Sequence, residues 1–146
     1  MPQQDTVTHV VTIDPDTGTL PHLSTATPAR VLESIVAGIN SGDLDSLMPL
    51  YERDAAFATQ HGSLAPGAPG IREALNGFIA MHGTLDLQVT RVLEVDDLAL
   101  VIGVWSFDGT GPDGEPVHLQ ANNADVLRRQ ADGTWRFVID NPWGTD

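Results

Sequence analysis

Two carboxylates in apolar company, Asp125 and Asp140, stand out in the stretch Val117 to Gly144, which reads VHLQANNADVLRRQADGTWRFVIDNPWG. Two acids that face each other among aliphatic side chains resist ionising together. One then keeps a proton while the other can accept one, which is what proton-transfer catalysis requires. The competing reading is one acid in a structural hydrogen bond and the other in solvent. His61, at the predicted rim after the first strand of the fold, adds a second proton-carrying group, and a surface role competes there too. The candidate catalytic set is therefore Asp125, Asp140 and His61. Asn123, Thr59, Tyr51, Phe57, Trp105, Phe107 and Val138 are expected to line a cup around them and hold a ligand. Core packing is the alternative for the aromatic members. His61, His82 and His118 show no metal-ligand spacing, so neither a metal nor an organic cofactor is expected.

Two strands joined by the turn Ala131, Asp132, Gly133 must position the acids. Alternation along the first puts Leu119, Ala121, Asn123, Asp125 and Leu127 on one face. On the second, Trp135, Phe137 and Ile139 separate from Arg136, Val138 and Asp140. Asp140 precedes Asn141 and Pro142, where a strand ends, so pocket mouth and solvent are both open to it. It is expected to point inward, on a period-two pattern that a single bulge would shift by a whole face.

Upstream, Thr27 and Pro28 mark a helix start, and Val31, Leu32, Ile35, Val36 and Ile39 form its apolar stripe. Gly42 ends that helix, and Asp43 caps a short second one through Leu44, Leu47, Met48 and Tyr51, which Pro49 should bend or shorten. A strand over Ala55 to Thr59, a loop from His61 to Gly70 and a third helix from Ile71 to about His82 follow. Next come strands Leu85 to Glu94 and Leu98 to Asp108. The last of these is apolar on both faces, with Leu98, Leu100, Ile102 and Val104 on one. Something must cover that face, and a second copy of the chain is the economical partner.

With 146 residues, 41% of them hydrophobic, the chain suits one folded domain. That domain is placed at residues 27–146, preceded by an arm over residues 1–26 with a possible edge strand at Val7 to Ile13. The formal charge of −13 disfavours nucleic acid and anionic membranes as partners. There is no cysteine, so no disulfide framework or thiolate nucleophile is available. No apolar run approaches a membrane span, and a cytoplasmic protein acting on a small apolar molecule is expected.

Several local marks then converge: the Gly42, Asp43, Leu44 turn, Leu50 and Tyr51, Asp54 and Ala55 entering a strand, Gly70 to Leu75 (GIREAL), Asp125 to Arg128, and Asp132, Gly133, Trp135. From about Ala29 to Gly144 the chain resembles the nuclear transport factor 2-like superfamily, in its SnoaL-like, ketosteroid-isomerase-like group. The resemblance implies an α+β fold, a cone-shaped barrel in which three N-terminal helices pack into a strongly curved, mainly antiparallel sheet. It also implies a cofactor-independent acid/base enzyme of isomerase, cyclase or dehydratase type. A non-catalytic ligand-binding or dimerising module of the same fold is the alternative. Of the ketosteroid isomerase parts, the tyrosine position falls on Ile35, the base on Thr59, and only the oxyanion acid is kept, as Asp125. The last-strand acid of limonene epoxide hydrolases falls on Asp140, whereas their arginine and second aspartate fall on Trp105 and Phe107.

Overall fold

The computed structural model describes residues 25–60 and 62–144. Residues 1–24, where the arm and its edge strand are expected, lie outside them. Helix α1 (Pro28–Ser41) begins where Thr27 accepts a hydrogen bond from the Arg30 amide and Pro28 occupies the first turn. It stops at Gly42, whose φ of 72° allows the left-handed cap that satisfies the last carbonyls. Asp43 then caps α2 (Leu44–Leu47) through the Ser46 amide. Pro49 has the predicted effect: the chain tightens into a 3-10 turn, Met48–Leu50, and Tyr51 is already extended.

Six strands follow in one open sheet, ordered β2-β1-β6-β5-β4-β3. They are β1 (Tyr51–Ala58), β2 (Leu64–Pro66), β3 (Thr84–Val95), β4 (Leu98–Thr110), β5 (Pro116–Arg129) and β6 (Trp135–Asp140). The sheet is mixed, because β1 runs parallel to β6, and it does not close into a barrel. The expected loop from His61 to Gly70 holds β2 and the first turn of α3 (Gly67–Ile79), since Pro69 sits where a helix has no amide bond to lose. Helices α1 and α3 lie against the concave face, where Val31, Ile71, Leu75, Val101, Phe107 and Phe137 are fully or almost fully buried. Among the described residues no helix is long and apolar enough to cross a membrane.

Two bulges shape the sheet. Thr90 is extra in β3, between the pairs Val89 with Gly103 and Arg91 with Ile102. Val138 is extra in β6, because Val126 pairs with Ile139 while the next residue, Leu127, pairs with Phe137. An extra residue reverses the facing of everything beyond it. Phe137 and Asp140 therefore both point inward. Ile139, expected beside Phe137, is turned out and is 36% exposed.

Candidate functional site

Strand β5 delivers Asn123, Asp125 and Leu127 to the interior by plain alternation, and all three are buried. Beyond the Val138 bulge the same register sets Asp140 opposite Asp125, and the next residues along bond from the Ala124 amide to the Asn141 carbonyl at 3.0 Å. Asp125 is 1% exposed and Asp140 7%. Asp125 accepts from the Asn141 amide at 2.7 Å and from Asn123 Nδ2 at 2.8 Å. Asp140 accepts from the Tyr51 hydroxyl at 2.5 Å. The Tyr51 ring, stacked on Phe137 with centroids 4.9 Å apart, is held in place for that bond.

The electrostatics follow from burial. Loss of water, and then the neighbouring Asp140 charge, push the Asp125 carboxyl well above its ordinary range; the donors from Asn123 and Asn141 oppose this without reversing it. Burial raises Asp140 to about 6 against the pull of the Tyr51 hydroxyl. The Tyr51 phenol, raised by burial and then by the Asp140 charge, stays protonated and remains a donor. Both carboxyls are thus held above the ordinary range, and the pair resists ionising together.

Both acids open onto a cavity of about 50 Å³ between the helices and the sheet. Its walls are apolar: Leu32, Ile35 and Ile39 from α1, Phe78 from α3, Leu87 from β3 and Trp105 from β4. Among the described residues its polar lining is at one end, where Asn123, Asp125 and Asp140 meet. Trp105 donates its indole N–H to the Pro142 carbonyl at 2.6 Å and meets Trp143 edge-on, so the segment after β6 is anchored over this wall.

The structure brings Asp125, Asp140, Asn123, Trp105 and Phe57 together around the cavity. Four expected lining residues do not belong to it. Thr59 bonds to the Ser63 carbonyl through both its amide and its hydroxyl, and closes the turn after β1 instead. Val138 is the bulge residue itself and is half-buried away from the space. Phe107 lies fully buried behind Phe78, ring centroids 5.4 Å apart. Tyr51 reaches the site as the partner of Asp140 rather than as a wall, and His61 lies outside the described residues. Ile35, where the resemblance would put a phenol, is an apolar wall, and the Tyr51 phenol on β1 bonds to Asp140. The bonds from the Tyr51 hydroxyl to Asp140 and from the Asn141 amide to Asp125 are not expected from the sequence, since no local pattern signals either. Among the described residues no three His, Asp or Glu side chains converge as metal ligands.

The model of the SnoaL-like domain family matches residues 32–138. No curated protein sequence matches the chain. Among solved structures it is similar to a ketosteroid isomerase-like protein from Erwinia carotovora atroseptica, at 16% identity over 80% of this chain and 92% of that one, with a TM-score of 0.69. A nuclear transport factor 2-like protein with a cystatin-like fold from Novosphingobium aromaticivorans is 20% identical over 80% and 78% of the two chains, TM-score 0.65. The epoxide hydrolase/cyclase-like enzyme SalBIII, of pyran ring formation in the polyether salinomycin, is 15% identical over 80% and 90%, TM-score 0.58. Likeness at these identities shows the fold alone.

Proposed function

The chain belongs to the SnoaL-like domain family, and from that premise we propose that it is an acid/base enzyme, needing no cofactor, that acts on a small, mainly apolar molecule. One observation carries this reading: two hydrogen-bonded carboxyls, both buried, at the polar end of a cavity whose other described lining is apolar. Burying two acids is costly, and aliphatic residues of similar volume would pack the same space with less strain on stability. Protonated Asp125 would hydrogen-bond the substrate oxygen where charge develops. Ionised Asp140 would take the proton from carbon or oxygen, and the contact between the two carboxyls would return it. Isomerisation, cyclisation and dehydration all use these two steps.

The test is deuterium incorporation from D2O into small ketones and hydroxyketones, followed by NMR. The reading calls for exchange that rises with pH through about 6, as Asp140 loses its proton, and that disappears in Asp140→Asn. Ordinary titration of both carboxyls near a pKa of about 4 in the wild-type protein would refute it.

A second reading, a ligand-binding or dimerising module without turnover, is favoured by the small cavity and by the protein donors already placed on both carboxyls. It calls for no exchange with any probe. On either reading we propose a second copy as partner on the outer face of β4, where Leu98 and Val104 are 39% and 41% exposed.

A further inference from the structure

We infer that Tyr51 is a positioning residue that makes Asp140, rather than Asp125, the base of the carboxyl pair. This rests on the acid/base reading proposed above. The sequence carries one tyrosine, and the fold sends it to one of the two acids. Tyr51 opens β1 beside Phe137 of β6, 4% exposed, and its hydroxyl reaches further along that strand to Asp140 Oδ2 at 2.5 Å. A buried phenol needs an acceptor, and any backbone carbonyl would serve. This one is given a carboxyl that lines the cavity.

Each acid meets a different kind of donor. Asp125 takes the Asn141 amide on Oδ1 and Asn123 Nδ2 on Oδ2, so both its oxygens are occupied by amides. Asp140 takes the phenol on Oδ2, and among the described residues no N–H group and no second hydroxyl bonds to Oδ1. A phenol is a more acidic donor than an amide, and it bonds more strongly to a carboxylate than to the neutral acid. It therefore favours ionised Asp140 and leaves Oδ1 to accept the proton. Stacked on Phe137, the ring cannot follow the carboxyl if that group turns, so the bond also fixes its orientation.

Among the described residues no other charge competes for Asp140. From β5 it faces Asp125 and from β1 Tyr51, and the helix side chains that share its cavity, Leu32, Ile35, Ile39, Leu75 and Phe78, carry none. Burial pushes Asp140 up and the Tyr51 hydroxyl draws it down, so loss of the phenol must raise it.

Because the chain has one tyrosine, two changes act at this place alone. Tyr51→Phe deletes the donor and keeps the ring, whereas biosynthetic replacement of tyrosine by 3-fluorotyrosine makes the phenol more acidic and so a stronger donor. Burial raises the Tyr51 phenol well above its ordinary range, so fluorination alters its donor strength and not its charge near neutral pH. The side-chain carboxyl carbons of both acids are followed by NMR across pH. The Asp140 midpoint, about 6 in the wild type, is expected to rise by about one to two pH units in Tyr51→Phe, the worth of one hydrogen bond to a charged group, and to fall in the fluorinated protein. The midpoint of the D2O exchange profile should move with it both ways. A phenol that only fills space would leave Asp140 indifferent to fluorination. An unmoved midpoint, movement in one direction in both proteins, or a response of Asp125 in place of Asp140 overturns the inference. If Tyr51→Phe does not fold, the fluorinated protein decides alone, and a midpoint at or above the wild-type one overturns it. Raised carboxyls that ignore both changes defeat only the role of Tyr51, whereas ordinary carboxyls in the wild type defeat the acid/base reading itself.

Discussion

The two faces of the central strands invert the usual burial rule in opposite directions. On the concave side of β5 and β6, Asn123, Asp125 and Asp140 sit in an apolar interior, each under a tenth exposed. On the convex side of β4 and β6, Leu98, Val104 and Ile139 are each more than a third exposed. Polar groups inside and aliphatic groups outside both cost stability in an isolated chain. They differ in what would relieve the cost. The inner acids are hydrogen-bonded yet still electrostatically unfavourable, a state that chemistry can use and packing cannot. The outer aliphatics lack only a cover, so they point to association.

Removing a carboxyl probes the inner face most severely. Asp140→Asn keeps the shape and the bond from Tyr51 but cannot accept a proton. A turnover assay on any substrate found should show a loss of about 100- to 10,000-fold, the usual contribution of a general base. Asp125→Asn keeps a donor and should lose less.

Asp140→Asn should also stabilise the fold, which separates a functional from a structural acid. Asp140 has a raised pKa in the folded state, so the folded protein holds its proton more tightly than the unfolded chain does. Its favourable contribution is complete below about pH 4 and is lost as pH rises through about 6. Above that, the buried charge costs on the order of 2 to 3 kcal/mol. An amide carries no charge, and it can accept from Tyr51 while donating to Asp125. Thermal unfolding should therefore give Asp140→Asn a higher Tm than wild type at pH 8 and a similar one at pH 4. A lower Tm at both values would make Asp140 a structural residue and erase the contrast between the faces.

Smaller still is the effect of crowding the inner face. In Gly103→Ala the new methyl meets the Gln88 carbonyl, which is backbone in the bulged stretch of β3 and cannot move away freely. Denaturant unfolding should show about 1 to 3 kcal/mol of destabilisation, the usual range for overpacking. The Asn123 amide resonances should shift with it.

Much of this contrast could be read from residue order. Thr27, Pro28, Gly42 and Asp43 mark their helix boundaries because caps are local chemistry, and alternation alone puts Asp125 inside. The doubly apolar face of β4 was visible for the same reason. The inward turn of Asp140 depends on one unpaired residue, Val138, and nothing in the run WRFVID distinguishes a bulged strand from a regular one. The bond from Tyr51 to Asp140 joins β1 to a parallel neighbour far along the chain, and local patterning is blind to such a pairing. Thr59 and Phe107 are expected in the cup. Their local environments, a tight turn and a packed core, decide otherwise.

The outer face yields the mildest change in the folded subunit and tests the other half of the comparison. Val104 projects from the middle of β4, 41% exposed, so Val104→Lys should alter the stability of one subunit by no more than about 0.5 kcal/mol. Association should respond quite differently. A lysine lowers the net negative charge of a chain that carries −13 and so weakens repulsion between copies, which by itself favours a dimer. Loss of the dimer in this variant would therefore have to come from burying an ammonium group in an apolar interface. Sedimentation at micromolar concentration should find the wild type dimeric, more firmly so as salt screens the repulsion, and Val104→Lys monomeric. A wild type that stays monomeric across that range would leave the outer aliphatics as mere exposed surface, with the inner acids alone departing from the burial rule for a reason.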